Sequence, residues 1–233
     1  MSKAKASTKE GNNNKPTYTE EKARRLFTVY SAILTVFFLV AWSQIMILHP
    51  LETDGAEMKH MDPSEIAAIP FPLQRLTVFA VFPVVILMMY WLVKNPSTLM
   101  WNLMNLVKLT GIIYALFALG GNSLIDNWQH SVTAALYLAA LLATTFRQNG
   151  SSNILEELPF NDLTDIIAFS RLYTTILCTI PFQILTVLDH GRQIQRWPIP
   201  ILLGSTYGYI FGTLIGILVG YIARQRSEKQ QKE

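Results

Sequence analysis

The chain has 233 residues, of which 51% are apolar and only 15% charged, with a mean hydropathy of +0.29. Soluble domains carry about 25% charged residues, so this balance excludes an ordinary water-soluble enzyme and points to a membrane protein. The net charge of +3 does not indicate nucleic acid, because the basic residues lie at the ends of apolar runs and form no stripe interleaved with aromatics.

Residues 1–25 are rich in Lys, Asn and Thr and nearly free of large apolar groups. Such a segment buries too little surface to offset its chain entropy, and a disordered tail is expected, with a weak helix start at Thr19, Glu20 and Glu21. No cleavable leader is expected, and the first apolar run reads as an uncleaved signal anchor. That run, 26–48, is uncharged, and at 1.5 Å per residue it covers a hydrocarbon core of about 30 Å. Trp42, Gln44 and His49 mark its far interface, and Pro50 ends it. The next loop is acidic (Glu52, Asp54, Glu57, Asp62, Glu65), with a short helix expected from Asp62-Pro63-Ser64-Glu65, where proline suits a first turn.

A second span, 76–93, contains Pro83 and closes on Tyr90, Trp91 and Lys94. The proline is expected to kink it, with neighbouring helices accommodating the freed carbonyl. After the Lys94-Asn95-Pro96-Ser97 turn, a weaker third span is expected at 106–125, entered at Lys108 and ending in Gly120-Gly121-Asn122-Ser123. Asp126-Asn127-Trp128 reads as an interfacial turn before a fourth span, 128–146. The polar loop after Arg147 carries Glu156, Glu157, Asp162 and Asp165, and its segment 160–169 has the apolar spacing of an interfacial helix. The fifth span, 170–188, is built around Pro181 and holds the single cysteine, Cys178, read as a small apolar packing residue. A charged turn, 189–197, leads to the sixth span, 198–223, and a polar tail, 224–233. The fold class is therefore all-α, a polytopic membrane protein with six transmembrane helices.

In the sixth span Gly204, Gly208, Gly212, Gly216 and Gly220 recur every fourth residue, taking five of the chain's 12 glycines. In water each interior glycine costs a helix about 1 kcal/mol relative to alanine. In a membrane the same register is a smooth face that lets a second backbone approach closely. Either the face packs against the protein's own helices, or part of it receives a helix of a partner protein.

Orientation follows from charge. With both termini on one side, the other side holds only Lys59, Arg75, Arg192 and Arg196 of the 19 Lys and Arg, which places both termini in the cytosol. The acidic loop, the Gly120–Ser123 turn and the 189–197 turn then share the lumenal or outer face. The sequon Asn149-Gly150-Ser151 falls in the cytosol and stays unmodified.

The loops, about 25 residues at most, are too short for a folded catalytic domain. GxSxG, P-loop and HExxH patterns do not occur, and one cysteine allows no intrachain disulfide or CxxC site. His49, His60, His130 and His190 fall on the lumenal side with Asp54, Asp62, Asp126 and Asp189, but no two histidines stand at helical spacing, so neither a metal nor a cofactor is expected. Asp189 and Arg192, three apart, are placed to pair on a helical turn. That pair is either an interfacial ion pair worth under about 1 kcal/mol or part of a surface, with Arg196 and Trp197, for an anionic lipid headgroup or a partner.

The string Leu188-Asp189-x-x-Arg192-x-x-Gln195-x-Trp197-Pro198-Ile199, followed by Leu203-Gly204-x-x-x-Gly208-Tyr209-x-x-Gly212, resembles without a gap the C-terminal signature of the PIG-F family. Those are six-span proteins of glycosylphosphatidylinositol (GPI) anchor biosynthesis in the endoplasmic reticulum. Leu119-x-Gly121-x-x-Leu124-x-Asp126 is similar to the family's Gly-Ala-Pro-Leu turn and following acidic residue, and the Lys94-Asn95-Pro96 turn is also similar. Val187, His190 and Ile194 stand where the family has a proline and two tryptophans, and Asn122-Ser123 replace its Ala-Pro.

The resemblance implies a non-catalytic role: binding and stabilising the large ethanolamine-phosphate transferases (PIG-O and PIG-G type) that modify the mannoses of the GPI precursor, the third mannose especially. It also implies that Asp189, Arg192, Gln195, Trp197, Pro198, Gly204, Gly208, Tyr209, Gly212, Gly121 and Asp126 contact a partner or membrane lipid, GPI precursor included. Two alternatives remain. One is a lipid-handling transporter or flippase, with Pro83, Pro181 and the glycines serving helix breakage and movement. The other is a membrane phosphotransferase using the lumenal His and Asp residues.

Overall fold

A computed structural model describes residues 18–51, 71–94, 96–119, 128–143, 163–188 and 197–230. Among them there is no strand. In chain order α1 (Tyr18–Ser43) passes through a π-helical turn, Gln44–Leu48, and stays helical to Leu51. α2 (Leu73–Lys94) is followed by a 3₁₀ turn, Pro96–Thr98, then α3 (Leu99–Leu119), α4 (Trp128–Ala143), α5 (Leu163–Leu188) and α6 (Ile199–Gln230). Among the described residues, five stretches are long and apolar enough to cross a membrane: Arg25–Leu51, Leu73–Val93, Pro96–Leu119, Asp165–Ile184 and Ile199–Ala223. With its 16 described residues, α4 falls short of that length.

Hydrocarbon offers the backbone no hydrogen-bond partner, so helices are the form these runs take. Their hydroxyls follow the same rule by bonding carbonyls one turn back, as Thr35 does to Ser31 (2.8 Å), Thr77 to Leu73 (2.8 Å) and Thr110 to Leu106 (2.8 Å).

Three boundaries differ from those read in the sequence. Helix α1 begins at Tyr18, inside the stretch expected to be a disordered tail. The segment 160–169 is not a separate interfacial helix from Leu163 onward, since α5 runs unbroken from there; its buried Ile166 and Ile167 face the bundle rather than a membrane surface. Helix α3 starts at Leu99, ahead of the 106 expected for the third span, so Lys108 lies mid-helix instead of at its entry; 120–125 lie outside the described residues. The short helix expected near Asp62 lies outside the described residues.

Helix α6 is the hub: 67% of the apolar 18-residue stretch that identifies its span is buried, against 17–28% for the other four, so it is the span most enclosed by protein. It pairs with α5 along most of its length and also touches α1 and α4. Helix α4 sits between α2 and α3 and is itself mostly buried, through Ala134, Ala135, Tyr137, Ala139 and Ala140. The rims of α1, α2, α3 and α5 expose large apolar side chains such as Phe37, Met89, Ile112 and Leu177, as lipid-facing surfaces do. An aromatic stack, Phe38–Phe82–Trp42–Phe79–Tyr137, ties α1 to α2 and α4.

Candidate functional site

Two features gather the residues singled out by sequence: a corner at Trp197 and the seam between α5 and α6. At the corner, a cis peptide bond joins Trp197 to Pro198, just before α6. The indole of Trp197 meets the ring of Phe117 in α3 edge-on, with centroids 5.5 Å apart, and donates from Nε1 to Ser131 Oγ in α4 at 3.1 Å. Pro198 is buried. Next to Ser131 in the chain, His130 Nε2 lies 2.9 Å from the carbonyl of Phe71, which ties α4 to the start of α2. One indole thus fixes three helices, which its shape allows: a large apolar body with a single donor at its edge.

Phe117 lies two residues before the end of α3, and Ser131 lies in the first turn of α4. The chain ends flanking the 120–127 connection therefore meet the Trp197 end of the 189–196 connection at this corner. Asp189, Arg192, Gln195, Gly121 and Asp126 lie outside the described residues.

Along the seam, α5 and α6 run antiparallel and all five ladder glycines face α5. An added Cβ would stand 2.7 Å from Phe182 Cβ at Gly204, 2.6 Å from the Thr174 carbonyl at Gly208, and 2.6 Å from Arg171 Cα at Gly212. At Gly216 it would stand 2.7 Å from Ile167 Cα, and at Gly220 it would meet the Leu163 side chain. Most of these neighbours are backbone atoms, so only glycine permits the approach. The face open to a partner's helix in the sequence is occupied by the protein's own α5, a neighbour in the same chain that packs without the entropy of association. Thr174 Oγ1 lies 2.7 Å from the Gly208 carbonyl across the seam and 2.6 Å from the Ser170 carbonyl on its own helix. Two residues earlier on α6, Tyr137 of α4 donates to Thr206 Oγ1 at 2.6 Å, while Thr206 donates to the Leu202 carbonyl at 2.6 Å.

The seam also holds a cation that sequence reasoning did not place in a site. Arg171 lies inside the α5 span, half-buried. Its Nε donates to Thr213 Oγ1 at 2.9 Å, and its guanidinium lies over the ring of buried Tyr209, 4.8 Å from the centroid. Thr213 in turn donates to the Tyr209 carbonyl at 2.8 Å. A charge inside a span costs about 2.5–3.5 kcal/mol on insertion scales. A hydrogen bond and a desolvated cation–π contact, the latter worth about 2 kcal/mol, offset most of that cost. The available signal was a basic residue inside an apolar run, but apolar neighbours outweigh a single arginine in any averaged hydropathy. Tyr209, expected as a partner or lipid contact, is instead buried beneath this guanidinium.

Among the described residues no group of three His, Cys, Asp or Glu is placed to hold a metal ion. Comparison of the chain with protein-family models, curated proteins and solved structures finds no match to any of them.

Proposed function

We propose that this chain is a multi-pass protein of the endoplasmic reticulum membrane, six-helical with both termini cytosolic. In this reading it is a non-catalytic subunit that binds and stabilises an ethanolamine-phosphate transferase acting on the GPI precursor. The observation that supports the reading is the Trp197 corner. The two strings that resemble the PIG-F family, 119–126 and 188–212, lie far apart in the chain, yet Trp197 contacts both Phe117 and Ser131 across the ends that flank them. The described ends that flank the two strings thus meet at one corner, which supports a shared recognition surface there.

The test is affinity purification of the full chain from detergent-solubilised membranes, together with the steady-state level of the transferase in cells lacking the chain. Recovery of a large ethanolamine-phosphate transferase, and its loss from those cells, is the expected result. An unchanged transferase level with no co-purification overturns the reading. Arg171 is the one observation that favours lipid handling, since intramembrane cations commonly line substrate paths. Transfer of a fluorescent phosphatidylethanolamine by the purified chain in liposomes distinguishes that alternative.

A further inference from the structure

Helix α3 turns an unusual face outward. Its inward residues are Leu106, Ile113 and Phe117. At about 100° per residue, Lys108 stands on the opposite side of the helix, in the middle of the exposed stripe. Trp101, Met104, Asn105, Ile112 and Ala115 share this stripe and are exposed. Gly111 borders it, and a Cβ added there would meet nothing within 4 Å.

Two mid-span cations are treated differently by this bundle. Arg171 is given partners on α6, whereas the ammonium of Lys108 meets only Trp101 of its own helix among the described residues, 5.5 Å from the ring centroid. The span is Pro96–Leu119, so the Lys108 Cα lies about 17 Å from either end. A lysine stem reaches only part of that distance, so snorkelling brings the ammonium over Trp101 but not to water. A lipid phosphate, held at the headgroup level, stays out of reach for the same reason. Charges within spans are found facing protein or water and paired, not facing lipid.

We propose that this face docks a transmembrane helix of another protein, and that the helix carries an Asp or Glu carboxylate at mid-membrane depth to pair with Lys108. Asn105 adds a hydrogen-bonding group one turn away, and Gly111 and Ala115 let the partner's backbone come close. A second copy of this chain does not fit: the described spans contain only one acidic residue, Asp165, and it lies at a span end. The docking rests on the functional reading above only for the identity of the partner.

The experiment places a photo-crosslinking amino acid at Met104 or at Ile112 in the full chain, with Leu218 on α6 as the comparison site, and irradiates intact membranes. One membrane protein is expected to be captured from both α3 positions and not from Leu218. Lys108→Glu should reduce that adduct about tenfold or more, and exchanging the facing carboxylate of the captured helix for Lys should restore it. Lys108→Leu, which inserts at least as well as lysine, controls for folding and should lower the adduct without restoration by the exchanged partner. Adducts with lipid only, or an adduct indifferent to charge reversal, overturn the docking proposal. A charge-dependent adduct with a protein other than an ethanolamine-phosphate transferase upholds the docking and overturns the functional reading instead.

Discussion

Gly208→Ala probes the α5–α6 seam with a single methyl group. Built on the backbone, the new Cβ lies 2.6 Å from the Thr174 carbonyl oxygen, 2.7 Å from Thr175 Cα and 3.0 Å from Cys178 Cβ. Comfortable separations are about 3.5–4.0 Å, so the helices must part by roughly 1 Å. Two of the three neighbours are backbone atoms, and no rotamer change relieves them. Overpacking of this kind costs about 1–3 kcal/mol. Parting the helices also stretches the 2.7 Å contact from Thr174 Oγ1 to the Gly208 carbonyl, and interhelical hydrogen bonds in membranes are worth about 0.6 kcal/mol. The expected loss is about 2–3 kcal/mol.

The assay is reversible unfolding in mixed micelles with rising SDS, followed by tryptophan fluorescence. Gly111→Ala serves as the reference, because its added Cβ meets nothing within 4 Å; it should stay within about 0.5 kcal/mol of the parent. Equal midpoints for the two alanine variants would refute the packing read from the seam. The same geometry means that Gly208→Leu or Gly212→Leu reports first on this chain's own bundle, so loss of a partner with either variant is no evidence that the ladder docks one.

Further perturbations separate the other contacts in the same unfolding assay. Trp197→Phe keeps an aromatic edge near Phe117 but removes the bond to Ser131, and should cost about 1 kcal/mol. Thr213→Val leaves the Arg171 Nε without its acceptor inside a span and should cost about 1–3 kcal/mol, whereas Thr133→Val, which loses only an exposed bond to its own helix, should be nearly neutral. Tyr137→Phe leaves Thr206 bonded to the Leu202 carbonyl, so its effect should stay near 1 kcal/mol, without the larger penalty of an orphaned donor. For topology, Asn149 should show no shift on endoglycosidase treatment, while a sequon introduced between positions 52 and 70 should be glycosylated.

Much of the fold is legible before any coordinates, since a bilayer asks for apolar length and the chain supplies it in separated runs. Register within those runs is harder to read. The start of α3 was placed too late because Lys108 looks like an interfacial anchor, yet the chain is already helical from Leu99. The ladder glycines were visible as a stripe, but lipid and a second helix are equally apolar neighbours. The stripe alone therefore does not say which of them covers it. The partners of Arg171 were not legible for a related reason: Thr213 and Tyr209 are more than thirty residues away and become neighbours only when α6 folds back on α5.

Sequence by itself determined that this protein is helical and membrane-embedded, because apolar length and the need to satisfy every backbone group leave no other form. It also determined the close-packing stripe of α6, since glycine is the residue that lets two backbones touch. Only the tertiary structure decided that the stripe is filled from within the chain, that Trp197 clamps α6 to α3 and α4, and that Arg171 faces protein while Lys108 faces out. Those outcomes depend on which helix lies against which. Neighbours in the fold are chosen by the shape and hydrogen bonding of whole faces, and no single segment carries that information.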